Sequence, residues 1–330
     1  MREFAVALIG GGNIAKAHVA AAKESGERVR IAAVVDPVDA ARESIIRDTG
    51  AAGFGSTEAL LASSQATEIR GAIVATPPNA RLPIVQSLLA SNIAILVEKP
   101  LAHTLSEARK LNDLALRHPH VVTAVGYCHR FTPAIVEMKK RVEAGEIGAV
   151  VRFENTFACH LPNMRSHWMS DPPISGGGSF IDTGCHSLDL FLHLLGQGEI
   201  RSATFHHAWP GRGESNATVH LRQSSATGAS CAAGVIQSGW LEPARFVVTV
   251  VGILGSLHYD YDRPTGLLHR SNEGEARIIE VEDPGQRFTL QLQAFADAVL
   301  NRTDTRLATF GDALVTSTLV DAARTAAHNE

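Results

Sequence analysis

Five short apolar runs rich in β-branched residues punctuate the first third of the chain: FAVALIG (4–10), RIAAVVD (30–36), GAIVAT (71–76), AILVEK (94–99) and VVTAVGY (121–127). Between them, NIAKAHVAAAKES and TLSEARKLNDLALRH place apolar residues at helical spacing, the second opened by a capping box from Thr104 to Glu107. Runs of this length alternating with amphipathic segments predict repeated βαβ units around a parallel sheet. The pattern changes after about Gly126. A helical PAIVEMKKRVEAGEIG leads to the strand VVRFENTFAC, then to a polar loop from His160 to Ser175, then to a glycine-rich helix start, SGGGSFIDTGCHSLDLFLHLLG. From Glu199 to Val281 strand-like runs separated by turn residues predict a mostly antiparallel sheet, and two helices close the chain.

The expected fold class is therefore α/β, with a doubly wound parallel-sheet domain over 1–125 and a second domain, with a mostly antiparallel sheet, over 126–330. No low-complexity linker separates them, and a cleft between two such domains is a natural place for a ligand.

At 330 residues the chain is long enough for two substantial cores. Its 30 Lys plus Arg against 34 Asp plus Glu give a formal charge of −4 with no basic tract, so nucleic acid is not an expected partner. Cys128, Cys159, Cys185 and Cys231 are widely spaced and form no C-x-x-C pair, which fits reduced thiols in a cytoplasmic protein. Glu3 and the early glycines argue against reading MREFAVALIGGG as a signal peptide. The longest apolar stretch elsewhere, FVVTVVGILGSL, is too short to span a bilayer, so neither membrane insertion nor a membrane partner is expected.

The first strand runs into GGGNIAKAH, giving Gly10-x-Gly12-x-x-Ala15 at the start of a helix. Glycine permits a tight turn and close approach to a pyrophosphate, while Asn13 and Ile14 open a helix whose free N–H groups face the anion. The second strand ends in Asp36, at about the 20-residue distance expected of the acid that binds the adenosine ribose hydroxyls. A carboxylate there favours NAD over NADP, although Arg42, one turn into the next helix, keeps NADP open. Thr76, Pro77, Pro78 and Asn79 follow one strand end, and Glu98 and Lys99 another, at the carboxyl edge where open α/β sheets hold ligands. The bland alternatives are a strand-to-helix turn for the first group and a structural ion pair for the second.

Asp182 and His186, four residues apart in the glycine-preceded helix, project from one face, so the carboxylate can orient the imidazole as a general base. Singly, they also read as an N-terminal helix charge and a core histidine, and Asp189 reads as structural. Asp182, Cys185 and His186 with nearby histidines offer possible ligands, but no recognised zinc spacing links them and no metal is expected. His160, Asn163, Arg165, His167 and Trp168 in the polar loop are candidates for the substrate wall.

Together GGGNIA, VEKP and SGGGSFIDTGCHSLDL resemble the glucose-fructose oxidoreductase / inositol dehydrogenase (Gfo/Idh/MocA) family, in order and over the whole chain. The resemblance implies an N-terminal Rossmann dinucleotide-binding domain followed by an α+β domain with a large open, mostly antiparallel sheet, and NAD(P)-dependent hydride transfer to or from a secondary or anomeric hydroxyl of a sugar, cyclitol or related polyol. It also implies a homodimer or homotetramer built through the C-terminal sheet. Lys99 resembles the E-K-P lysine beside the nicotinamide ribose and reacting hydroxyl, and Asp182 and His186 resemble the D-x-x-x-H pair whose histidine serves as acid/base. The chain departs from the family's pattern at Cys128 and His129 within GYCHRF, and at Leu82, where a histidine is common. Two other outcomes stay open: a non-catalytic NAD-binding regulator, and a relative that reduces a keto-sugar or cleaves a glycoside by a redox route.

Overall fold

The computed structural model describes residues 3–224, 231–264, 266–282, 286–301 and 306–329. They group into two compact units, Met1–Cys128 with Gln286–Leu314, and His129–Gly285 with Val315–Glu330.

The first unit is built on six strands: β1 (Phe4–Ile9), β2 (Val29–Val35), β3 (Ala52–Phe54), β4 (Gly71–Val74), β5 (Ala94–Val97) and β6 (Thr123–Val125). They pair in parallel in the order β3-β2-β1-β4-β5-β6. Every residue of β1, β4 and β5 is buried, as continuous apolar strands covered on both faces should be. Strand order reverses between β1 and β4, the switch point beside which doubly wound sheets bind ligands. The helices of this unit are α1 (Asn13–Glu24), α2 (Asp39–Thr49), α3 (Thr57–Leu61), α4 (Arg81–Ala90) and α5 (Leu105–Arg117), the last capped by Thr104, whose Oγ1 accepts from Glu107 N–H at 3.2 Å. Strand β3 and helix α3 escaped the sequence pattern because three and five residues are too few to establish a period.

In the second unit the helices are α6 (Pro133–Glu143), α7 (Pro172–Ser175) and α8 (Cys185–Leu195). The strands are β7 (Val150–His160), β8 (Gly198–His206), β9 (Asn216–Gln223), β10 (Ala233–Gly239), β11 (Leu241–Gly252), β12 (Gly255–Asp260), β13 (Leu267–Ser271), β14 (Ala276–Ile279) and β15 (Ala327–Asn329). These form a nine-stranded sheet, β14-β13-β12-β11-β7-β10-β9-β8-β15, antiparallel except at β7–β10 and β8–β15. Phe153, Phe157, Val219, Leu221, Ile236, Val248 and Val250 of one face pack in the core with Leu188, Phe191 and Leu194 of α8. On the other face Glu154, Thr218, His220, Val235, Thr249 and His258 stay wholly or partly accessible. Arg130, in the turn before α6, forks onto Asp189 of α8 with Nε–Oδ2 2.9 Å and Nη2–Oδ1 2.6 Å. Both side chains are buried, and unmaking such a pair from one side costs about 3–5 kcal/mol, so Asp189 braces the helix as expected.

The closing helices are α9 (Arg287–Asn301) and α10 (Phe310–Ala326). The contiguous split at 125/126 put α9 with the second domain, yet residues 286–314 group with the first unit. Its apolar face supplies the reason: Phe295 meets Phe4 of β1 edge-on at 5.7 Å and Phe288 meets His18 of α1 at 5.7 Å. Among the described residues no helix is long and apolar enough to cross a membrane.

Candidate active site

After β1 the chain turns at Gly10, whose φ of +103° and close neighbours at Ala75, 2.8 Å from where a Cβ would stand, admit only glycine. Asp36, at the end of β2, fixes this turn from the side: its Oδ2 accepts Gly11 N–H at 2.7 Å and its Oδ1 accepts Val38 N–H at 2.8 Å. Around Gly12 a Cβ would meet nothing within 4 Å, and no side chain caps the amides of the first turn of α1, where Asn13 is exposed and Ile14 half-buried. Open space above uncapped helical N–H groups is what a pyrophosphate needs, so these residues fit a dinucleotide. At the end of β4 the Thr76 hydroxyl is buried without a hydrogen-bond partner, a further polar atom left for a ligand. Pro77 leads into a 3-10 turn over Pro78–Ala80, in which Pro78 is buried and Asn79 exposed. Arg42, the residue that kept NADP open, donates Nη1 to the Asp36 carbonyl at 2.7 Å and pairs with Asp39.

Glu98 and Lys99 follow β5 at the same carboxyl edge. Glu98 is 5% exposed, and its Oε1 lies 2.8 Å from Nε2 of His18, itself buried in α1. Its Oε2 accepts the N–H of Lys99 at 3.2 Å. Burial opposes ionisation of this carboxyl, but the His18 hydrogen bond and charge, with Lys99 and Arg81, outweigh it and hold the pKa below the ordinary value. Lys99 is half-buried, and its peptide bond to Pro100 is cis. Beneath it the Arg81 guanidinium, 2% exposed, donates to the carbonyls of Thr76, Glu98 and Pro100. One buried cation thus ties the strand end carrying Thr76 to the one carrying Lys99.

The other candidate pair lies in the second unit. The helix expected to start at SGGG begins instead with a π-helical turn, Phe180–Gly184, and becomes α-helical at Cys185. Local chemistry explains the wide turn. Glu214 Oε1 accepts both Gly178 N–H and Phe180 N–H, at 3.0 and 2.9 Å, while Thr183 Oγ1 donates to the Ser179 carbonyl at 3.0 Å. At Gly178 a Cβ would lie 1.9 Å from the Glu214 carbonyl oxygen, so the close approach requires glycine. Asp182 sits within the π turn, its Oδ2 accepting Trp240 Nε1–H at 3.2 Å, and Trp240 stacks on Trp209. His186, 8% exposed in the first turn of α8, meets the ring of His129 edge-on at 4.6 Å. His129 Nδ1 in turn lies 2.9 Å from the Tyr261 hydroxyl.

Of the loop candidates, Asn163 and Arg165 lie in a 3-10 turn, Pro162–Ser166, and Trp168 opens another. His160, Asn163, Arg165 and Trp168 are exposed, whereas His167 is half-buried, its Nδ1 accepting Met169 N–H at 3.3 Å. Sequence reasoning passed over His18, Arg81, Glu214, Trp240 and Tyr261, and singled out His129 only as a departure from the family's pattern. Only His18 and Arg81 carried a local signal, His18 as an ionisable residue within the predicted helix NIAKAHVAAAKES and Arg81 as one heading the apolar run RLPIVQSLLA. The others owe their places to contacts distant in sequence.

Two family models match the chain: "Oxidoreductase family, NAD-binding Rossmann fold" over residues 4–127 and "GFO/IDH/MocA C-terminal domain" over residues 135–258. The rhizopine catabolism protein MocA of Rhizobium meliloti is 34% identical over 202 residues, 60% of this chain and 59% of that protein. The scyllo-inositol 2-dehydrogenase (NAD(+)) of Bacillus subtilis is 26% identical over 204 residues, 61% of this chain and 56% of its own length. The chain thus spans less than two thirds of the length of these curated relatives. A solved structure of levoglucosan dehydrogenase in complex with NADH and levoglucosan superposes with a TM-score of 0.84, covering 98% of both chains at 19% identity, which is a likeness of fold.

Proposed function

Since this chain belongs to the GFO/IDH/MocA oxidoreductase family, with its NAD-binding Rossmann fold, we propose that it moves a hydride between NAD and a secondary or anomeric hydroxyl of a sugar, cyclitol or related polyol. The observation that carries this reading is the glycine turn braced by Asp36 beside open, uncapped helical amides. The names of the curated relatives, one a scyllo-inositol dehydrogenase, support the substrate class. Bound NAD would supply the acceptor for the hydride. From the protein, Gly10, Gly12, Asn13 and Ile14 would receive the pyrophosphate, and Thr76–Asn79 would wall the ribose. His186 would take the hydroxyl proton on a ring nitrogen, Lys99 would donate to the same oxygen as negative charge grows, and Asp182, oriented by Trp240, would hold a neighbouring hydroxyl or the imidazole. A panel of sugars and cyclitols with each cofactor, followed at 340 nm, tests the reading, and silence across the whole panel would count against it.

Preference for NAD follows from Asp36, whose carboxylate would accept the ribose hydroxyls and repel a 2′-phosphate. Arg42 is turned onto the backbone of Asp36 and onto Asp39. Asp36→Ala is expected to weaken NAD binding by about 1.5–3 kcal/mol, the worth of hydrogen bonds to a charged group. NADH fluorescence titration reads this directly, and tighter binding of NADP than of NAD by the parent protein would reverse the assignment.

The accessible face of the nine-stranded sheet, where Val235 alternates with polar residues, is proposed as the seat of a second copy. Light scattering on purified protein should then give a mass twice or four times the monomer's. A monomer at micromolar concentration would refute it.

A further inference from the structure

His186 is 8% exposed, so a proton that it accepts from a substrate needs a path to water. The structure offers one within the second unit. His129, in the turn before α6, stands between the ring of His186, at 4.6 Å and 82° between ring planes, and that of Tyr261, at 5.1 Å and 85°. Phe157 packs on the same imidazole at 4.8 Å. The nearest ring nitrogens of His129 and His186 lie within 4.8 Å, a gap that one water molecule or a modest ring rotation closes. His129 Nδ1 is hydrogen-bonded to the Tyr261 hydroxyl at 2.9 Å, and both His129 and Tyr261 are less buried than His186. Burial therefore falls from His186 to His129 and Tyr261. Aromatic packing alone would account for the stacking on Phe157; it does not require a nitrogen aimed at a hydroxyl.

Resting on the dehydrogenase reading, we propose that His129 and Tyr261 relay protons between His186 and solvent. In the oxidative direction the substrate O–H breaks as an N–H forms on His186. That N–H then breaks as one forms on the nearer nitrogen of His129, whose Nδ1 proton passes to the Tyr261 oxygen as the Tyr261 O–H proton leaves to water. Every step forms as many bonds to hydrogen as it breaks, and the relay beyond His186 moves protons alone, the electron pair leaving separately as the hydride. His129 is a positioning and shuttling residue, acting through His186 without touching the substrate. The other ionisable groups around this series include Tyr259, whose ring meets that of Tyr261 at 4.7 Å, Asp182 and Cys185 on the helix of His186, Cys159 on β7, the Arg130–Asp189 pair, and Cys128, which adjoins His129 in the chain.

His129→Phe keeps a ring against Phe157 and Tyr261 but cannot carry a proton, and Tyr261→Phe deletes only the hydroxyl. Both are expected to lower kcat by roughly tenfold or more, with NADH affinity within about twofold of the parent, and to regain turnover in proportion to added imidazole buffer. Undiminished kcat in His129→Phe, or a loss that imidazole does not restore, would overturn the relay. A second measurement needs no turnover. In histidine-labelled protein, NMR titration of His186 is expected to show the broadened curve of a coupled pair in the parent and a single-site curve in His129→Phe. Identical curves would overturn the link, whereas a parent inactive on every substrate but showing the coupling would indict the dehydrogenase reading alone.

Discussion

Replacing His186 by Ala is expected to lower kcat by about 10²–10⁴-fold while leaving NAD affinity nearly unchanged, because general-base assistance is lost and the nucleotide cradle is not touched. The cradle belongs to the first unit, in the Gly10–Ile14 turn and Asp36, whereas His186 opens α8 in the second. Truncation also leaves a small cavity beside His129, so part of any loss could come from a loosened helix. Two features separate the causes. Arg130 and Asp189 pin α8 independently of His186, so the variant should unfold in one transition close to the parent's. An added imidazole base that partly restores turnover would mark the deficit as chemical. Near-normal kcat across the pH range would remove His186 from the mechanism.

The parts of this site that could be read in the sequence are those whose partners lie close along the chain. Gly10, Gly12 and Asp36 belong to one βαβ unit, where a strand, a turn and a helix leave little freedom, and in the structure Asp36 accepts the N–H of Gly11. Lys99 could be placed at a strand end because an apolar run stops there. The bracing of both sites was invisible for the complementary reason. His18 finds Glu98 80 positions away, Arg130 finds Asp189 59 away, and Trp240 finds Asp182 58 away, pairings that exist only after the sheets have chosen their strand order. The apolar stripe of α9 was legible as a stripe, but nothing local says that it covers β1 and α1. Similarly, SGGGSFIDTG predicts a helix start, while the wide turn depends on Glu214, which belongs to a distant loop.

Lys99→Met tests the other proposed catalytic group, and its expected effect is a loss of at least about 10²-fold in kcat with NAD binding held within about tenfold. Methionine preserves much of the stem but deletes the ammonium and its donors. The surroundings make this a clean substitution. The strand end is held by Arg81, bonded to the carbonyls of Thr76, Glu98 and Pro100, and by His18 on Glu98, so the backbone at Lys99 does not depend on its own side chain. One side effect is foreseeable in sign. The Lys99 charge is among the influences holding the Glu98 carboxyl below its ordinary value, so its loss raises that pKa, but the His18 hydrogen bond, the larger influence, remains. The His18–Glu98 hydrogen bond does not involve the Lys99 side chain and is expected to persist in the variant. Were Lys99 only structural, the Met variant would lose stability and keep its activity per folded molecule. A variant that melts with the parent and turns over at the parent's rate would instead remove Lys99 from catalysis. If transition-state charge at the substrate oxygen is what Lys99 stabilises, the loss should fall on kcat and kcat/KM alike, since an interaction made only at the barrier leaves ground-state binding unaltered.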